Sequence, residues 1–102
     1  MMIEDNVMAN PKGYELAHCG RFGTVYATES EFTEVFGAPH EEDPSGDKVT
    51  KWWHFETMLG RVTVRNWWSN PDNELSVCSV DCHAAQLAVE HFRRCKLKAG
   101  VG

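Results

Sequence analysis

Alternation of apolar and polar residues is clearest between Lys51 and Trp68, KWWHFETMLGRVTVRNWW, where two runs rich in Trp, Val, Phe and Thr flank Leu59-Gly60. Aromatic and β-branched residues on either side of a short Gly-containing turn predict a β-hairpin. With Leu59-Gly60 as a two-residue turn, Trp53 faces Asn66, Phe55 faces Val64 and Thr57 faces Val62, and this set reads as core. The opposite face then carries Trp52 against Trp67, His54 against Arg65 and Glu56 against Thr63. A strand face turned only to water does not need that mixture of indoles and charges, so this second face is a candidate site.

On either side of the hairpin the period changes. Gly23 to Ala27 is β-prone and predicts a strand. Thr28-Glu29-Ser30-Glu31 has the spacing of a capping box, Phe32, Val35 and Phe36 recur at helical spacing, Gly37 suits the closing residue and Pro39 blocks continuation. A helix of about two to three turns follows from that span. His40 to Asp47, HEEDPSGD, is a loop of turn formers and charge, and Ser69 to Asn73 is a second turn. Glu74 to Val80 alternates as a third strand of the sheet, after which Ser79 or Asp81 caps a helix with the stripe Ala85, Ala88, Val89, Phe92 and Cys95. Arg93, Arg94, Lys96 and Lys98 suit the negative pole at its end.

The order β-α-β-β-β-α predicts an α+β fold, a small antiparallel-rich sheet around the central hairpin with two helices on one face. Residues 1–12, polar and broken by Asn10-Pro11, are expected to form a flexible arm, residues 13–98 a single domain and residues 99–102 a disordered tail. A chain of 102 residues has room for one core and no second domain.

Charge narrows the partners. A net charge of -5 argues against duplex DNA, whose backbone calls for a basic face. Acidity gathers at Glu29, Glu31 and Glu34 and again at Glu41, Glu42 and Asp43. Such a face either keeps the protein in solution or meets a basic surface on another protein. No apolar run approaches the length of a membrane helix, and the acidic start MMIEDNVM does not resemble a secretory signal, so a cytoplasmic setting with cysteines as thiols is expected.

Candidate chemistry is sparse. Cys78, Cys82 and His83 offer half of a zinc site, and the usual paired Cys knuckles are missing. Cys82 lies near a helix start, but neighbours on a helix point about 100° apart, which places His83 badly to activate it. Glu41, Glu42 and Asp43 sit in a loop that fixes no geometry for acid–base work. Phosphate-cradling and hydrolase motifs are absent from the sequence, and no cofactor is expected. Asp47-Lys48 reads first as a loop anchor and second as a ligand contact, and Asn66 as a polar group bonded to backbone. The leading binding set is therefore Trp52, His54, Arg65 and Trp67 with Lys48, aromatic and cationic groups of the kind enriched at binding hot spots. A covering helix or a homodimer is the alternative use of these rings.

One combination goes further: Phe36-Gly37-Ala38-Pro39, Gly46-Asp47-Lys48-Val49, Trp53, and Thr63-Val64-Arg65-Asn66-Trp67. Across residues 23 to 92 it resembles a group of small bacteriophage proteins with FG-x-P, GDK, a tryptophan, a Gly-containing hairpin turn and a T-I-Y-[DN]-W-like strand. Arg65 stands where that group usually has an aromatic, and Ser76 to Val80 where it has a WHIGG-like strand. The resemblance implies a phage protein that acts by stoichiometric binding, either blocking a host defence protein or sequestering a nucleotide signal. A metal- or thiol-dependent enzyme at Cys78, Cys82 and His83 is the remaining expectation from a different class.

Overall fold

The structure, a computed structural model, describes residues 7–13, 19–95 and 98–101. Its elements are β1 (Val7–Ala9), β2 (Gly20–Tyr26), α1 (Glu29–Phe36), β3 (Glu41–Glu42), β4 (Lys51–Thr57), β5 (Gly60–Arg65), β6 (Leu75–Ser79), α2 (Cys82–Arg94) and β7 (Lys98–Val101). The strands form one antiparallel sheet in the order β1-β4-β5-β6-β2-β7, with β3 also pairing along β4. The expected order is present as β2-α1-β4-β5-β6-α2, and the fold is α+β. Among the described residues no helix is long and apolar enough to cross a membrane.

Local signals act as the sequence implies. Thr28 caps α1 through a full capping box, its hydroxyl accepting from Glu31 N while Glu31 reaches back to Thr28 N. Gly37 ends the helix at φ 91°, a conformation that favours glycine. Asp81 caps α2 by accepting from His83 N. Both helices lie on one face of the sheet, where Phe32, Phe92, Ala85, Ala88 and Val89 close over Trp53, Phe55, Val62 and Val64. Phe32 meets Trp53 edge to face at 5.1 Å and Phe92 at 5.4 Å.

The hairpin register differs from the expected one by two residues: Trp53 pairs with Val64, Phe55 with Val62, His54 with Thr63, Trp52 with Arg65 and Glu56 with Arg61. Its turn is Met58-Leu59, closed by the Thr57 hydroxyl, which donates to Gly60 O and accepts from Leu59 N. A two-residue slip leaves every side chain on its face, so hydrophobic alternation cannot separate the two registers and turn chemistry decides between them. Asn66 and Trp67 consequently lie beyond the paired strand, and Trp52 does not face Trp67.

The sheet also reaches past residues 13–98. Of the expected arm, Val7 to Ala9 pair with β4 and Val7 is buried, while residues 1–6 lie outside the described residues. Of the expected tail, residues 99–101 belong to β7, and residue 102 lies outside. Isolated three- and four-residue runs carry too little periodicity to announce themselves as strands; an open edge on β4 and on β2 supplies the hydrogen bonds that make them so.

Candidate functional site

Where β4–β5 pairing stops, the polar side chain of Asn66 takes over as the organising group. Its Oδ1 accepts from Thr50 N and from Lys51 N at 3.0 Å each, and its Nδ2 donates to Thr50 Oγ1 at 2.9 Å and to Glu29 Oε2 at 3.1 Å. Lys51 Nζ donates to the other oxygen of Glu29 at 2.6 Å. Partial burial pushes the Glu29 carboxyl up, but the hydrogen bonds from Lys51 and Asn66 outweigh it and hold the carboxyl below its ordinary value. The same bond to Glu29 raises Lys51. This network ties the first turn of α1 to the open end of the hairpin.

The chain after β5 is fixed in turn. Trp68 N donates to Lys48 O at 2.8 Å, and Asn70 N donates to Trp67 O at 2.9 Å. Asn70 Nδ2 donates to Ser76 Oγ at 3.0 Å, and Arg21 reaches Asn70 Oδ1 at 3.2 Å while lying 3.7 Å from Glu74. Gly46 permits the tight fold of the preceding loop, because a Cβ there would collide with the Val49 carbonyl oxygen.

These fixed segments enclose a cleft of about 470 Å³, within the range of roughly 300–1,000 Å³ typical of ligand sites. One wall is the start of α1 with Glu29 and Ser30, a second is Asp47 and Lys48, and the third is Trp67, Trp68, Asp72 and Glu74. Four carboxylates, those of Glu29, Asp47, Asp72 and Glu74, thus line the cleft against the single ammonium of Lys48. Trp68 is 68% exposed. Trp67 is half-buried, and the Arg65 guanidinium, which is not part of the cleft wall, lies 5.3 Å from the centre of its ring.

The five binding candidates from the sequence do not form one surface. Lys48 and Trp67 meet in the cleft, Arg65 stacks on Trp67, and Trp52 is half-buried as the cross-strand partner of both Arg65 and Glu41. His54 is inside, at 2% exposure. Its Nδ1 lies 3.0 Å from Thr63 Oγ1, and its backbone N–H donates to His40 Nδ1 at 2.8 Å. Nε2 of His54 approaches Glu41 Oε1 at 3.3 Å without the alignment of a hydrogen bond. Burial lowers His40, and the charge that His54 carries when protonated lowers it further.

Glu31, Glu34, Glu41, Glu42 and Asp43 are exposed, as an outward acidic face requires. Glu34 lies one turn from Ser30, so it shares the helix face that borders the cleft.

Cys78 is 0% exposed within β6 and stands apart from Cys82 and His83. The latter two gather with Asp81 instead, their ligating atoms all within 4.8 Å of one another at the start of α2. Asp81 Oδ1 is already bonded to His83 N, and His83 is exposed. Cys19, Cys78, Cys82 and Cys95 stand as thiols.

Sequence reasoning singled out neither Trp68, Asp72 nor Glu74 as site residues. Two adjacent tryptophans running into Ser69-Asn70-Pro71-Asp72 were the available signal, since large rings beside a turn have no sheet to hide in. Set against protein-family models, curated proteins and solved structures, the chain shows no match to any of them.

Proposed function

We propose that the protein is a non-enzymatic binding protein that associates stoichiometrically with a partner protein bearing a basic surface. The observation that carries this reading is the cleft, which sets Trp67 and Trp68 beside Glu29, Asp47, Asp72 and Glu74 with Lys48 as its one lining cation. Indoles flanked by carboxylates suit a basic side chain that loses its water on binding, and tryptophan and arginine are the residue types enriched at interface hot spots. Glu31, Glu34, Glu41, Glu42 and Asp43 extend the negative field beyond the cleft and favour rapid encounter with a positive surface. The phage resemblance gives this partner a class: a host defence protein, met in the cytoplasm of an infected bacterium and inhibited by occupation of its basic site.

Sequestration of a nucleotide is the second reading, favoured by the paired indoles on which a base could stack. Charge weighs against it, because a phosphate entering the cleft meets four carboxylates and one lysine.

Affinity capture from bacterial lysate, followed by titration of the purified captured protein at two ionic strengths, tests the first reading. A one-to-one complex that weakens with salt and in Asp72→Lys is expected. Stabilisation of the protein by a nucleotide, with no protein complex formed, overturns it in favour of the second.

A further inference from the structure

We infer that the cleft is a receptor for one arginine side chain of the partner, an assignment that rests on the binding reading above. Charge makes the first selection. Glu29 is engaged by Lys51 and Asn66, and Glu74 lies 3.7 Å from Arg21, which leaves Asp47 and Asp72 as carboxylates without a described ion-pair partner. Lys48 offsets only one of them, so the pocket stays negative after its internal pairs are counted.

Shape makes the second selection. A guanidinium is flat, delocalised and weakly hydrated, so it lies against an indole while its edge donates to carboxylates; an ammonium is a compact and strongly hydrated point charge. The cleft supplies both halves of that recognition, the exposed Trp68 ring for the face and Asp47 and Asp72 for the edge. The protein already makes the same contact internally, with the Arg65 guanidinium 5.3 Å from the centre of the Trp67 ring. Arg65 occupies Trp67 from outside the cleft wall, so Trp68 is the indole still available to an incoming group.

Rigidity completes the argument. Trp68 N is bonded to Lys48 O, and the start of α1 is tied to the hairpin through Glu29, Asn66 and Lys51. A preformed receptor spends little binding energy on ordering itself.

The test uses a short Gly/Ser peptide with a single central arginine, and the same peptide with lysine or citrulline at that position. Binding to the full chain is followed by tryptophan fluorescence and calorimetry at low salt. The arginine peptide is expected to bind saturably, with citrulline, which keeps the shape and loses the charge, about tenfold weaker and lysine about threefold weaker. Trp68→Ala and Asp72→Asn are each expected to weaken the arginine peptide by about three- to tenfold. Both side chains are exposed, and circular dichroism checks that the variants fold.

Absence of saturable binding, equal affinity for citrulline, tighter binding of lysine, or indifference to both substitutions overturns the arginine assignment. Trp68→Ala and the charge-reversing Asp72→Lys are also titrated against the captured partner protein. A partner complex weakened by Trp68→Ala while the arginine peptide fails to bind overturns the arginine assignment alone. A partner complex unaffected by Trp68→Ala and Asp72→Lys overturns the binding role of the cleft itself.

Discussion

The dipeptide Trp-Trp occurs twice in this chain, at Trp52-Trp53 and at Trp67-Trp68, and the fold treats the two in opposite ways. Trp52-Trp53 lies within β4, where pleating sends neighbours to opposite faces. Trp53 is therefore completely buried, with its indole N–H donating to Gly37 O at 3.0 Å and its ring against Phe32, while Trp52 stays half-buried on the other face. Trp67-Trp68 lies past the last paired residue of β5, and both rings border the same cleft. Identical local sequence thus supports stability in one place and leaves rings at an open cleft in the other. The deciding factor is whether the backbone is still held in a ladder.

The sharpest way to break this comparison is to remove one ring from each pair. Trp53→Ala empties the centre of the core and also deprives Gly37 O, next to the end of α1, of its donor. A loss of about 3–5 kcal/mol is expected, a large part of the roughly 5–15 kcal/mol of a typical domain. Urea denaturation would read it directly, and a midpoint close to the parent's would contradict the assignment of Trp53 to the core.

Asn66→Ala should come next. It leaves the amides of Thr50 and Lys51 without their acceptor and Glu29 with one donor fewer, at a cost of about 1–3 kcal/mol. The same variant should loosen the cleft, so a peptide or partner affinity that survives it intact would detach the Asn66 network from the site.

The two Trp pairs also show how far the sequence could be read. Capping box, helix-closing glycine, the α2 stripe and the core face of the hairpin were legible because each depends on residues close in the chain. The register was not, since a shift of two keeps Trp53 and Phe55 with the valines and the choice fell to the Thr57 hydroxyl at the turn. That slip mattered for the site. In the expected register Trp67 pairs with Trp52 and His54 with Arg65 on an open face, whereas His54 is enclosed with His40, Thr63 and Glu41. The fold brings Lys48 and Trp67 to the same cleft, but Asp72 and Glu74 beside them come from a turn whose return toward α1 is a tertiary event. Local pattern has no access to that return.

Acid should separate the two regions further. His40 accepts a hydrogen bond from His54 N through Nδ1 and is held below its ordinary value of 6.5 by burial and by His54. Below that value the unfolded chain takes up a proton at this position before the folded protein does. The contribution of the neutral ring is therefore complete above the unfolded value and is lost as pH falls through the lower folded one. Glu29, lowered from 4.5, adds a second loss as pH falls below that value. Urea midpoints of the parent should fall between pH 7.5 and 5.5, and His40→Gln should lose less over that interval. An equal loss in both proteins would place the sensitive group elsewhere.

The smallest effect on stability is expected at Trp68, and there the contrast between the pairs is most informative. With 68% of its surface exposed, its ring contributes little to the core, and Trp68→Ala should change the unfolding free energy read from urea denaturation by no more than about 0.5 kcal/mol. Its backbone bond to Lys48 O survives the substitution, so the walls of the cleft keep their positions. A variant that folds like the parent and no longer binds a basic partner isolates the indole as a recognition group. A stability loss approaching that of Trp53→Ala would mean instead that the ring is covered in solution, as a homodimer would do, and sedimentation of parent and variant would expose the difference as a change in mass. Because exposure in the single chain and coverage in a dimer predict opposite orders for stability and mass, this one substitution decides whether the second Trp pair faces a partner of another kind or a copy of itself.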